Sequence, residues 1–136
     1  MYGVCFYEAE AFAKWAGYRL PTSTEWEVAA SLDPKGAKET YPWGNEFDIK
    51  AGNFGPAALA VGSKQGDKSD FGCFDMAGNL MEWTFDPVPM DGHQPFSLKG
   101  GAYGYLQLMV PDLASAARLS HPEALMRHGK TGFRCA

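Results

Sequence analysis

Helical periodicity ends at residue 32 of this 136-residue chain and does not return. Everything after it must fold through turns and short extended runs. Before that point two segments carry the period. In FYEAEAFAKWAG, Ala9, Phe12, Ala13 and Ala16 recur at i, i+3, i+4 and i+7, with Glu8, Glu10 and Lys14 on the other face. Gly17 then supplies a C-terminal stop. In the next segment Thr22 and Glu25 form T-x-x-E, a capping box placed just after Pro21. Trp26, Ala29 and Ala30 give that second helix one apolar face.

From Asp33 onward, DPKG, YPWGN, AGNFGP, SKQGDKSDFG and DPVPMDGHQP are turn chemistry. Between them, apolar runs at 80–84, 96–98, 103–108 and 131–135 have strand length only. Sixteen Gly and nine Pro set the chain above the ~12% average for these two residues. Four Trp, six Tyr and nine Phe supply the core area that so many loops would otherwise dilute. The expectation is a single α+β domain over 1–136, with two short N-terminal helices, a small twisted antiparallel sheet and long structured loops. Ordered loops of this extent are usually functional or pinned by a metal.

The net charge is −4, and the twelve Lys and Arg are scattered, so no basic patch invites nucleic acid. No apolar run approaches the ~20 residues that span a bilayer. Glu8, Glu10, Lys14 and Arg19 exclude a signal-peptide core from the first twenty residues. Cys5, Cys73 and Cys135 are an odd set without CxxC, which implies neither a disulfide framework nor a zinc knuckle. The expected setting is the cytoplasm, with no membrane and no nucleic-acid partner.

A family resemblance rests on pieces that occur in one order: WAGYRLPT (15–22), EWE (25–27), YPWGN (41–45), FG (71–72), DMAGN (75–79), EW (82–83), KGG (99–101) and GFR (132–134). Together they resemble the sulfatase-modifying-factor family, the formylglycine-generating-enzyme type of domain, built on a C-type-lectin-like fold. Family domains begin well upstream, so the chain is expected to correspond to the C-terminal portion of one. The family's enzymes oxidise with two cysteines, five residues apart, that bind copper. Thiolates suit Cu(I), and the matching positions here are Tyr105 and Val110. The resemblance therefore implies no copper, no catalytic residues and no formylglycine generation. Cys135 matches a family cysteine whose disulfide partner position is Ala13 here.

The resemblance also implies a structural calcium held by Asp75, Gly78, Leu80 and Glu82. Two carboxylates around a glycine turn offer hard oxygen donors for Ca²⁺, although capping of turn N–H groups would equally explain Asp75 and Glu82. A second family metal site would begin at Asn53 and Phe54, but the segment carrying its acidic partner reads as deleted. His93, His121 and His128 lack metal-ligand spacing. Trp15, Trp26, Trp43 and Trp83 fall on family core positions and read as packing. Arg19 and Arg134 read as braces for loop carbonyls or a carboxylate, and Cys73 as a small buried hydrophobe.

The ligand-facing surface in related domains maps to Tyr103, Tyr105, Gln107, Met109, Asp112, Arg118 and Arg127. The expected function is a non-catalytic ligand-binding or display module for a small molecule, peptide or protein. The alternative is the C-terminal part of an iron-dependent ergothioneine-type sulfoxide synthase, whose iron ligands lie in an upstream domain of the same polypeptide. Another enzyme of the family is the remaining reading.

Overall fold

The computed structural model describes residues 1–87, 94–105 and 122–136. Helix α1 spans Phe6–Trp15 and α2 spans Ser23–Ser31. The capping box of α2 forms as read: Thr22 Oγ1 accepts from Glu25 N at 3.1 Å, and Glu25 Oε2 accepts from Thr22 N at 2.9 Å. The same carboxylate takes a bidentate pair from Arg19. The buried stripe of α1 is Phe6, Ala9 and Ala13, while Phe12 sits at its edge.

Three strands follow: β1 (Met81–Phe85), β2 (Phe96–Lys99) and β3 (Thr131–Phe133), in the order β2-β1-β3. The β1–β2 pair is antiparallel, as expected, but β1–β3 is parallel, so the sheet is mixed. Strand β3 returns from the far end of the chain. A long crossover of that kind permits parallel pairing where a hairpin does not. Tyr103 and Tyr105 lie in a turn rather than a strand, and 106–108 fall outside the described residues.

The alternation in MEWTF and FSLK sorts two different faces. Met81, Trp83, Phe96 and Leu98 join Phe6, Ala9, Ala13 and Leu20 in the apolar core. The Trp83 indole stands edge-on to Phe6 and donates to the Val4 carbonyl at 3.0 Å. The opposite face carries Glu82, Thr84, Ser97 and Lys99, all buried. Buried polar groups are stable only when paired, and here each is. Thr84 and Ser97 share a hydroxyl contact of 2.7 Å, and Lys99 Nζ donates to Glu27 Oε2 at 2.9 Å on α2. Burial pushes the Lys99 pKa down despite that carboxylate. Lys38 also pairs with Glu27.

Trp26 and Trp83 are core residues as read, whereas Trp15 is 81% exposed. It stands at the last turn of α1, two residues past Ala13 and so about 200° around the helix from the buried stripe. Trp43 stacks on Tyr41 with ring centroids 5.3 Å apart.

Thr131 is fully buried, and its hydroxyl has no hydrogen-bond partner among the described residues. Valine has the same shape without the orphaned group. Thr131→Val is therefore expected to stabilise the fold by about 1 kcal/mol, measured by urea unfolding. A destabilised valine variant would reveal a partner for that hydroxyl.

The long loops between residues 33 and 79 are pinned by their own side chains. Asp33 Oδ1 accepts from the N–H groups of Lys35 and Ala37, Asp48 from Lys50, and Asn45 from Thr40. All are short-range, and the Asp33–Lys35 and Asp48–Lys50 bonds are Asx turns. The deeper pins, at Asn53, Asp67, Asp75 and Asn79, are long-range and build the site.

Candidate functional site

The four residues expected to hold calcium lie in one stretch where the 75–79 turn enters β1. Asp75 and Asn79 adopt left-handed backbone, φ 56° and 68°, which Asp and Asn tolerate better than other side chains. Such conformations persist where the surroundings hold them. Asp75 Oδ2 accepts from Gly62 N at 2.9 Å. Asn79 Oδ1 accepts from Leu59 N and from Asn53 Nδ2, at 3.0 and 2.9 Å.

Glu82 is 8% exposed. Its Oε2 accepts from the Trp26 indole at 2.7 Å and from Arg134 Nε, while Oε1 accepts from Arg134 Nη2 at 2.8 Å. Arg134 Nη2 also reaches the Phe74 carbonyl at 2.9 Å. Arg134 thus braces a carboxylate and a loop carbonyl, as read from the sequence. Asp75, Asn79, Leu80, Glu82, Phe133 and Arg134 line a cleft of about 240 Å³ here. Burial raises the Asp75 pKa, against the Gly62 N–H and Arg134, which lower it.

In this structure Asp75, Gly78 and Glu82, three of the expected calcium ligands, each have a protein partner. The positive charge Glu82 requires is already supplied by a guanidinium. The Gly78 carbonyl accepts from Leu80 N at 2.8 Å. Calcium sites take 6–8 oxygens. Among the described residues no three His, Cys, Asp or Glu side chains converge in a metal-binding group. Millimolar calcium is accordingly expected to leave the thermal midpoint within about 1 °C of its value in chelator, since a ligand stabilises only in proportion to its binding. A saturable rise of several degrees would restore the metal.

Asp67 was not singled out by sequence, where GDKSD reads as turn chemistry. It is fully buried, and Oδ2 lies 3.2 Å from where a Cβ on Gly52 would stand. A buried carboxylate therefore stands beside the 52–54 stretch. Its oxygens accept from Ala77 N at 2.9 Å and Gly78 N at 2.8 Å, so it fastens the 75–79 turn to the 52–67 loop.

Burial raises the Asp67 pKa from 3.8 to about 6, with the Ala77 and Gly78 amides opposing. Between those values the folded chain keeps a proton that the unfolded chain has released. Stability from this group therefore falls as pH rises through that window. Glu8 and Glu25 act in the opposite sense. Hydrogen bonds from Arg127 and Arg19 hold each at about 2, so their contribution is present above 4.5 and lost toward 2. The urea midpoint is expected to rise between about pH 7 and pH 5, then to drop below about pH 4. A midpoint flat from 7 to 5 would remove Asp67 from this role.

Of the expected ligand-facing residues, Tyr103 and Tyr105 come together around Lys130, which the sequence reading missed. Lys130 Nζ lies 4.4 Å from the Tyr105 ring centroid and 5.8 Å from that of Tyr103, and it donates to the Gly104 carbonyl at 2.9 Å. A lysine 25 or more residues away in sequence leaves no local signal. Tyr105 OH donates to Met81 Sδ at 3.4 Å, and its ring packs against two hydrophobic clusters. Arg127 is drawn elsewhere, to Glu8 of α1 at 2.7 Å. Gln107, Met109, Val110, Asp112 and Arg118 lie outside the described residues, as do His93 and His121. His128 is exposed, and its Nδ1 accepts from Lys130 N at 3.2 Å. All three cysteines are free; Cys5 is buried, Cys73 half-buried and Cys135 exposed.

The sequence profile of the sulfatase-modifying factor enzyme 1-like domain matches residues 1–136. The chain belongs to this family. The sulfatase-modifying-factor domain is 38% identical over 134 residues to a hercynine oxygenase of Mycolicibacterium thermoresistibile, covering 88% of this chain and 30% of that protein. It is 30% identical over 154 residues to the inactive C-alpha-formylglycine-generating enzyme 2 of Bos taurus, covering 98% of this chain and 48% of the relative. It therefore spans less than half of either protein. In fold, the domain resembles PvdO from Pseudomonas aeruginosa, with a TM-score of 0.75 at 21% identity over 97% of this chain and 59% of PvdO. Among the described residues, no helix of the domain is long and apolar enough to cross a membrane.

Proposed function

We propose that the chain is a non-catalytic ligand-binding module on a C-type-lectin-like scaffold, working in the cytoplasm. Tyr103 and Tyr105 form the described part of its ligand face, with Lys130 between them. The family resemblance assigns Gln107, Met109, Asp112 and Arg118 the same role, and the ligand is a small molecule, a peptide or a protein. The observation that carries this reading is Tyr105. At the position matching a copper-binding cysteine stands a phenol whose ring is packed into the framework and capped by Lys130. A phenol there replaces the soft, oxidisable sulfur that the oxidation requires. Three free thiols suit a reducing compartment. The name of the inactive relative in Bos taurus supports the same direction.

Cu(I) presented on a colorimetric chelator tests the reading. The module is expected to leave the chelate's absorbance unchanged at one equivalent of protein. Stoichiometric withdrawal of copper would overturn it.

A second reading draws on the hercynine oxygenases, which reach 43% identity over 98 residues in Mycolicibacterium smegmatis. In that case the chain forms part of a larger iron enzyme and shapes its pocket, with metal ligands supplied elsewhere in the polypeptide. The discriminating measurement uses the polypeptide as its source produces it, supplied with Fe(II). Oxygen uptake that depends on added hercynine would select the enzyme, and its absence the module.

A further inference from the structure

A cleft of about 390 Å³ opens along residues 49–64, separate from the Glu82 cleft and from the tyrosine pair. Its wall is fixed by buried amides. Asn53 is 3% exposed; its Nδ2 donates to the Ala57 carbonyl at 3.0 Å and its Oδ1 accepts from Gly55 N at 3.2 Å. Asn79 holds Leu59 by both backbone groups, at 3.0 and 3.2 Å. The Gly104 N–H fastens the Gly55 carbonyl from behind at 2.6 Å. At Gly52 a Cβ would stand 2.8 Å from the Phe54 ring, so only glycine lets that ring lie against the backbone. A cleft held this way is formed before anything enters it, which lowers the ordering cost of binding.

The lining is apolar at Ile49, Phe54, Pro56 and Leu59, with Ile49 37% and Leu59 46% exposed. Lys64 is the single charged residue of the lining. Its ammonium, like those of Lys35 and Lys50, has no ion-pair or hydrogen-bond partner among the described residues, but Lys64 alone of these lines a cleft. Asp67, three residues on from Lys64, faces the amides of 77 and 78. The volume falls within the ~300–1,000 Å³ of small-molecule sites, which pair apolar walls with a few placed polar groups.

We infer that this cleft binds a small organic carboxylate with an apolar body, the carboxylate pairing with Lys64 and the body lying on Phe54 and Leu59. The charge decides the class. An uncompensated ammonium beside apolar walls favours one negative charge, and a partly desolvated pair is stronger than one in open water. The inference stands whether or not the tyrosine face is the ligand face.

The test is an amide NMR titration with 3-phenylpropionate and its neutral isostere 3-phenylpropanamide. The acid is expected to bind roughly tenfold more tightly, with shifts centred on residues 52–64. Lys64→Gln should reduce acid binding to the level of the amide, and Lys64→Arg should retain most of the preference. Lys64 makes no contact the fold requires, so these variants are expected to fold normally. Ala57→Trp, which fills the cleft from an exposed position, should abolish binding of both probes. Equal affinity for acid and amide, acid binding unaffected by Lys64→Gln, or shifts centred elsewhere would each overturn the inference.

Discussion

Replacing Arg134 by alanine is expected to cost about 3–5 kcal/mol of folding stability, the range for breaking a buried ion pair from one side. The reason lies in what remains. Glu82 would keep only the Trp26 indole N–H as a partner, inside a cleft, and the Phe74 carbonyl would lose its donor. Lysine would not replace the guanidinium, because one ammonium cannot serve both carboxylate oxygens and a carbonyl with fixed forked geometry. Removing the charge on both sides should be milder. The Arg134→Ala/Glu82→Gln double variant is expected to be more stable than Arg134→Ala alone, since no unpaired charge is left buried. Guanidinium unfolding of wild type, both single variants and the double variant measures the coupling. A loss below about 1 kcal/mol for Arg134→Ala would show that solvent reaches Glu82 and the pair is a surface contact.

Gly78→Ala is the second large effect, expected at roughly 3 kcal/mol or more, from overpacking together with disrupted buried hydrogen bonds. The added Cβ would sit 2.7 Å from Asn53 N and 2.9 Å from Asn53 O, and backbone cannot swing aside as a side-chain tip can. Relief requires parting the 75–79 turn from the 52–55 loop. That would loosen the bonds from Ala77 and Gly78 to Asp67 and the Asn53–Asn79 amide pair. Hydrogen exchange at Leu59, Ala77 and Gly78 should accelerate together. Gly55→Ala is the control: its Cβ would meet only Asn53 Oδ1, at an ordinary 3.5 Å, and stability should change little. A well-tolerated Gly78→Ala would mean the two loops are not rigidly joined.

How much of this was legible in the sequence differs from element to element. The capping box at Thr22 and Glu25 is a local device, and local devices are written in adjacent letters. The helices and three of the four expected strands follow for the same reason, with β1 displaced by one residue, while the described part of the 103–108 run is not a strand. The alternation in β1 and β2 gave the two faces of the sheet but not their fates. Polar residues at every second position usually mean water on that side, whereas α2 covers them here and supplies Trp26 and Glu27 as partners. The parallel direction of β3 was hidden because strand direction depends on the path between strands. In the site, Asp75 and Glu82 stood out as a spaced pair. Their real partners, Gly62, Trp26 and Arg134, are 13 to 56 residues distant, and nothing near those positions announces the pairing. Asp67 was missed because a buried loop-fastening aspartate and an exposed turn aspartate have the same local sequence. The expectation that such loops are functional or held by metal overlooked a further way to hold them, with buried Asn and Asp side chains acting across the loop.

The placement of β3 bears on the order in which the molecule can form. Residues 131–133 lie beside β1, Gly3 donates to the Thr131 carbonyl, and Ala136 exchanges both backbone bonds with Arg19. During synthesis, then, residues 3 and 19 must wait for residues 131–136 before these bonds can form. Helix α1 and its neighbours can collapse early, but Glu82 has no counter-charge until Arg134 emerges. Contacts of this sequence separation fold slowly. A nascent chain arrested before residue 131 is expected to be a protease-sensitive intermediate, its buried carboxylate still looking for water.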